Sequence, residues 1–216
     1  MQLRTSHGTS RVVRLPMLLA GTVMLANNAM YAGAVQGFVT EILAGAGVGN
    51  PPAVALGVGL TKLCGVVVCV ALVDRTGRRP LLLVGAAGMC GCHALVAVGF
   101  ALVWPNLVGA ALVSVFFFWN MSWSGLIWTV SAELLPDAVR APAMGMAIVV
   151  FWVTSFVSTQ TLETLLEALS PEGAFALFAA GCVVAGTFVL CVLPETKGSL
   201  HAAAAATADG GAGDGG

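Results

Sequence analysis

Asp74-Arg75-Thr76-Gly77-Arg78-Arg79 is the stretch that decides how this chain is read. It crowds one acid, three arginines and a glycine into a few residues between two long apolar runs, 53–73 and 80–103. A run of about 20 apolar residues is enough to carry a helix through the hydrocarbon core of a bilayer. The stretch therefore reads as a tight turn at a membrane surface. Its charges sit where one membrane helix ends and the next begins. Simple anchoring of a basic loop would need neither Asp74 nor Gly77, so the pattern also suits a charge cluster that can be made and broken.

The rest of the chain fits that reading. Of its 216 residues, 58% are hydrophobic and only 9% charged, and the mean hydropathy is +0.96. Soluble domains carry roughly 25% charged residues, so this chain is too apolar to present most of its surface to water. A net charge of −1 gives no support to a nucleic-acid partner. Outward from the turn, six apolar runs are expected to span: about 15–43, 53–73, 80–103, 106–132, 141–162 and 173–193. Breakers punctuate them: Asn50-Pro51-Pro52, Trp104-Pro105-Asn106, Pro136 and Ser170-Pro171. Proline suits a loop or a first helical turn, where its missing N–H costs nothing. The expected fold class is an all-α membrane protein, a bundle of six transmembrane helices.

The basic residues give the orientation. Arg4, Arg11 and Arg14 precede the first run, and Arg75, Arg78 and Arg79 join the second to the third. Arg140 joins the fourth to the fifth, and Lys197 follows the sixth. All eight fall on one side of a six-span topology. The opposite loops hold no Lys or Arg, and one of them holds Glu163, Glu167 and Glu172. The positive-inside rule then puts both termini in the cytoplasm. Residues 1–14 read as a cytoplasmic N-terminal segment rather than a signal peptide, because the apolar run that follows is too long for one. Residues 194–216 read as a cytoplasmic, largely disordered tail, rich in Ala, Gly and Asp.

Two further motifs stand at helix ends on the same side. After the fourth run comes Glu133-Leu134-Leu135-Pro136-Asp137-Ala138-Val139-Arg140, and after the sixth comes Pro194-Glu195-Thr196-Lys197-Gly198. Together with the opening stretch, these resemble, in order, the cytoplasmic signatures of the sugar porter family within the major facilitator superfamily. The resemblance covers about residues 15–200. It implies one half of a twelve-span transporter, the C-terminal six-helix half, in a truncated half-length form. It implies transport of a small solute, most simply a sugar, by alternating access, as carbohydrate:proton symport or facilitated diffusion. The acid that couples protons in the family's symporters belongs to the other half, so coupling is not legible here. Asp74, Arg75, Arg78, Arg79, Glu133, Arg140 and Glu195 become candidates for a cytoplasmic gating network. Exposed ion pairs contribute only about 0–1 kcal/mol each, so such a gate needs several acting together.

Polar side chains at mid-membrane depth are costly and so point to function. Asn27 and Asn28 are adjacent amides within the first run. The resemblance places them where sugar porters carry two glutamines, and amides can both donate to and accept from sugar hydroxyls. Lys62 falls on a substrate-facing asparagine position of the family. A lysine near the bilayer centre costs about 2.5–3.5 kcal/mol on insertion scales. It either pairs with an acid, binds an anion, or sits solvated in a water-filled cavity. Asn120 and Trp128 fall on substrate-contact positions of the fourth run. Leu126 replaces the proline usual there, which predicts a stiffer helix. In the fifth run, Trp152 matches a second tryptophan, and Ser155 replaces an asparagine. Indole rings can pack on sugar C–H faces and donate from N–H, and they equally anchor helices at the membrane interface.

No metal or cofactor is expected. The six cysteines lie in apolar runs without zinc-site spacing. His93 is alone in the third run and reads as a packed or cavity-facing residue rather than a ligand. No nucleophile with a base, and no paired catalytic carboxylates, support an enzyme. The competing readings are a non-transporting or assembly-dependent membrane protein, and a carrier of an anionic or other organic solute. The expected partners are the lipid bilayer, the solute, and either a second six-helix half or a second copy of the chain.

Overall fold

The computed structural model describes residues 6–193, with side chains from Leu15 onward. Their regular structure is helical: α1 Ser6–Ala29, α2 Ala32–Gly37, α3 Val39–Gly45, α4 Pro51–Thr76, α5 Arg78–Ala101, α6 Pro105–Met121, α7 Trp123–Leu134, a 3-10 turn Asp137–Val139, and α8 Arg140–Cys191. Glu195 and the expected tail lie outside the described residues.

Most boundaries form where the breakers predict. Pro51 opens α4, and the Asn50 side chain caps it by accepting from the Ala53 N–H at 3.3 Å. Pro105 opens α6. Gly77 separates α4 from α5 with φ 91° and ψ 170°, a conformation essentially reserved for glycine. The turn that the sequence places between these helices is therefore as tight as a single residue.

Four helical stretches are long and apolar enough to cross a bilayer: Pro51–Thr76, Arg78–Ala101, Pro105–Leu134 and Asp137–Cys191. Six runs were expected, and the two counts differ for identifiable reasons. The first run is divided into α1, α2 and α3, leaving Leu15–Ala29 as a shorter apolar helix. Its breaks fall at Tyr31, in the left-handed region at φ 55° and ψ 5°, and at Phe38. The fifth and sixth runs join in one 55-residue stretch. At 1.5 Å per residue that is about 80 Å, far beyond a bilayer core of roughly 30 Å. It is bent at Ser170, with φ 59° and ψ 160°, next to Pro171. Two arms result, residues 140–169 and 171–191. Glu172, in the first turn of the second arm, has its carboxyl held below the usual range by its own backbone N–H and by the Ser170 hydroxyl.

The fourth run corrects one expectation. Leu126 lies inside α7 and adds no kink, yet the helix is not stiffened into one rod. The chain leaves helical geometry at Ser122, φ −136° and ψ −82°, between α6 and α7. There the Ser122 hydroxyl turns back to the Phe118 carbonyl at 2.7 Å. Gly85 of α5 lies directly against the Ser122 side chain, where any larger residue would clash.

Helix α5 is central, packing on α6 and α8, while α1 packs on α8 and α4 on α6. One core cluster gathers Met24, Met89, Trp123, Ile127 and Cys182, and a second gathers Val35, Leu112, Phe116, Phe175 and Phe178. Trp123 is fully buried and donates from its indole to the Leu82 carbonyl at 2.9 Å. His93 is also fully buried, with ring centroids 5.7 Å from Phe175 and 5.9 Å from Phe178, which makes it a packed residue. Outside the core, Leu56, Leu60, Leu63, Val67 and Val70 leave one flank of α4 bare, and Val149, Val153 and Phe156 do the same on α8. Continuous apolar exteriors of this kind suit lipid or another apolar surface rather than water.

Small residues allow the closest helix contacts. A side chain at Gly181 would place its Cβ 2.2 Å from the Ala29 carbonyl oxygen, so the second arm of α8 touches the backbone of α1 where that helix ends. Lipid supplies no hydrophobic force between helices, so packing this close is a main source of cohesion in a membrane bundle.

Candidate functional site

The break at Tyr31 organises the polar residues of the bundle. Helix α1 ends at Ala29, and the Tyr31 N–H returns to the Asn28 carbonyl at 3.1 Å. A tyrosine in left-handed geometry is strained by roughly 1–3 kcal/mol and persists only where its surroundings hold it. Here the Tyr31 ring stacks on Phe178, with centroids 4.4 Å apart and planes 12° apart. Its hydroxyl meets the Thr161 hydroxyl at 3.1 Å. Both partners lie on α8, one on each arm.

One turn earlier, the Asn28 amide donates to the Thr154 hydroxyl at 2.7 Å and to the Phe151 carbonyl at 3.0 Å. Thr154 in turn donates to the Val150 carbonyl at 2.7 Å. These bonds orient the Asn28 side chain and leave its Oδ1 as an acceptor with no partner among the described residues. Asn28, Tyr31, Thr154 and Ser158, with Leu25, Ala29 and Val157, line one open pocket of about 200 Å³. Complete small-molecule sites measure about 300–1,000 Å³, so this cavity has the size of one wall of a site. Its chemistry is a few fixed acceptors and hydroxyls on an apolar floor, suited to a hydroxylated solute.

The other expected site residues are placed as follows. Asn27 is buried and accepts from the Trp119 indole at 3.1 Å. Asn120 is buried too, but its amide donates to the Phe116 carbonyl at 2.9 Å in the α4–α6 contact, away from the cavity lining. Trp128 packs edge-on against Phe151, with centroids 4.8 Å apart. Trp152 is 63% exposed, with its ring centroid 5.2 Å from that of Phe151. Ser155 is half-buried, and its carbonyl accepts from Ser158 at 3.2 Å. Lys62 is half-buried and donates to Gln36 Oε1 at 3.0 Å. The structure thus joins Asn28 to Thr154 and Tyr31, joins Asn27 to Trp119, and joins Lys62 to Gln36.

Tyr31, Gln36, Trp119, Thr154 and Thr161 are the residues that sequence reasoning passed over. A signal existed for Tyr31, the only tyrosine in the chain, standing inside an apolar run. Thr154 adjoins the named Ser155, and which of two neighbours faces α1 is a matter of helix phase.

At the other end of the bundle, the charged motifs meet. Arg78 Nη2 lies 3.2 Å from Glu133 Oε1, and the Glu133 side chain is only 5% exposed. Arg79 donates to the carbonyls of Val189 and Leu190, in the last turn of α8. Arg140 donates to the Ala132 and Leu135 carbonyls at 2.9 and 3.2 Å and pairs with Asp137. These two arginines satisfy the orphan carbonyls and negative dipole ends of helices, a task the sequence motif did not distinguish from pairing with acids. Asp74 is exposed at the end of α4 and enters no ion pair among the described residues. Arg75 is exposed beside it.

Known proteins share both sequence and fold with this chain. The profile of the family described as sugar (and other) transporter matches residues 2–206. The chain is 33% identical over 196 residues to the human solute carrier family 2, facilitated glucose transporter member 4, covering 88% of this chain and 38% of that protein. It is 31% identical over 173 residues to the glucose transporter GlcP of Staphylococcus epidermidis, covering 76% of this chain and 38% of that protein. Its fold matches the major facilitator superfamily proton:xylose symporter XylE, solved with 6-bromo-6-deoxy-D-glucose, with a TM-score of 0.77 and 21% identity over 84% of this chain and 40% of that one. The chain spans about two fifths of the length of these relatives. Each is named as a transporter or symporter rather than an enzyme. With its several apolar helices and this match over nearly its whole length, the chain is an integral membrane protein of the sugar (and other) transporter family.

Proposed function

We propose that this chain is the C-terminal, six-span half of a carrier that moves a sugar-like solute by alternating access. The observation that carries the reading is the broken helix at Tyr31, where Asn28, Tyr31 and Thr154 present fixed polar groups to an open pocket on an otherwise apolar bundle. Carriers of this architecture hold solute near the bilayer midplane, at interrupted helices and between two repeats. The relatives' names point to glucose and xylose as the solute class. Six crossings follow if α1–α3 together make one, α4 and α5 one each, α6–α7 one, and the two arms of α8 one each. Both termini are then cytoplasmic. The Arg78–Glu133 pair, with Asp74, Arg75, Arg79, Arg140 and Glu195, would form the cytoplasmic latch that opens as solute is released.

Reconstituted in liposomes, the chain is expected to take up labelled D-glucose or D-xylose saturably and to run as a species larger than one copy by native mass. The open flanks and the partial cavity leave a solute enclosed only when a second half, or a second copy, faces the first. Non-saturable leakage from a strictly monomeric preparation would overturn transport by this chain. The assembly-dependent reading is favoured by the same partial cavity, and it predicts uptake only after a complementary half is co-expressed.

A further inference from the structure

Lys62 stands near the middle of α4, which runs Pro51–Thr76. Its ammonium does not reach for either membrane surface, as a lysine facing lipid would. It turns to Gln36 Oε1 at 3.0 Å, on the short helix α2 that begins just past the Tyr31 break. An ammonium has three donors, and this one uses a single neutral acceptor. Among the described residues no carboxylate lies within 4.0 Å of it, the ion pairs being Arg78–Glu133 and Arg140–Asp137. The other acids are on exposed ends: Glu41 on α3, Asp74 at the end of α4, and Glu163, Glu167 and Glu172 around the bend of α8. A charge at this depth generally faces a cavity and finds a counter-charge. Within the described chain the counter-charge is absent, and the residue that holds Lys62 belongs to the same broken segment as the polar cavity.

We propose that Lys62 supplies the counter-charge for an anionic solute, a sugar acid whose carboxylate binds the ammonium beside Gln36. This rests on the carrier reading above and deepens it. A single cation, with no second basic side chain beside it among the described residues, matches one negative charge. It therefore favours a carboxylate over a phosphate dianion.

The test compares D-glucuronate, D-glucose and D-glucose 6-phosphate as ligands of the full chain in nanodiscs, by equilibrium binding. The unmodified chain is expected to bind glucuronate about tenfold or more tighter than glucose, the gain of a charge-assisted hydrogen bond. Lys62→Gln collapses that ratio towards one, and Lys62→Arg keeps it. The wild-type ratio needs no variant, so a misfolded substitution does not blunt the test. Glucose bound as tightly as glucuronate, or a ratio unmoved by Lys62→Gln, overturns the proposal and leaves the carrier reading standing. Preference for the phosphate ester overturns the assignment to a carboxylate. Saturable binding of none of the three ligands overturns both readings together.

Discussion

Gly181→Ala is expected to destabilise the purified chain by about 1–3 kcal/mol, the range for overpacking a tight interior. The added methyl would fall 2.2 Å from the Ala29 carbonyl oxygen. That oxygen is backbone and cannot rotate aside, so either the second arm of α8 moves off α1 or the end of α1 shifts. Either motion reaches the Tyr31 break directly, because Ala29 precedes it by two residues and Phe178 of the same arm stacks on the Tyr31 ring. The melting temperature in detergent falls by about 2–4 °C per kcal/mol for a chain of this size. Gly91→Ala is the control, since nothing lies within 4 Å of where its Cβ would stand. Alanine is the better helix former by about 0.5–1 kcal/mol, so this variant holds or gains stability. Equal melting temperatures for the two variants would show that the close approach of α8 to α1 does not matter.

Arg78→Ala is expected to cost about 3 kcal/mol, the lower end of the range for breaking a buried ion pair by removing one partner. The lower end applies because the Arg78 side chain is 20% exposed, while Glu133 is 5% exposed and would be left as an isolated carboxylate. Adding Glu133→Gln to Arg78→Ala removes that stranded charge and should recover part of the loss. A coupling of about 0.5–3 kcal/mol is the signature of residues in direct contact. Additive effects in the double-mutant cycle, read from thermal melts of the four proteins, would deny that the pair holds α5 to α7. The same cycle bears on gating: a latch predicts that Arg78→Ala also raises the reactivity of engineered thiols on the cytoplasmic side.

The breakers and the charged turns were readable because their physics is local. Pro51, Pro105 and Pro171 cannot continue a helix from the preceding turn, and Gly77 adopts a backbone closed to other residues. Any chain with those residues between apolar runs bends there. The breaks at Tyr31 and Ser122 are different. Neither has proline or glycine beside it, and both depend on distant partners: Phe178 and Thr161 for Tyr31, Gly85 for Ser122. The division of the first run into three helices was therefore invisible until α8 was in place.

The site shows the same division. Asn27 and Asn28 stood out as amides in an apolar run, and both prove buried and bonded across helices. Thr154 rather than Ser155 meets Asn28 because the face that α8 turns to α1 is decided by packing. Composition says that an arginine near a helix end is useful, but not whether it pairs with an acid, as Arg78 does, or caps carbonyls, as Arg79 does.

The central claim is that the Tyr31 break carries the solute wall. Equilibrium binding of a labelled sugar to the chain in nanodiscs tests it most directly, comparing the unmodified chain with Asn28→Ala and Thr154→Val. Removing the amide takes away the open acceptor, and removing the hydroxyl releases the amide from its orientation. Each variant is expected to weaken binding by about tenfold, as lost hydrogen bonds of roughly 1–1.5 kcal/mol do, and the double variant by little more than either alone. Saturable binding that both variants leave unchanged would contradict the account.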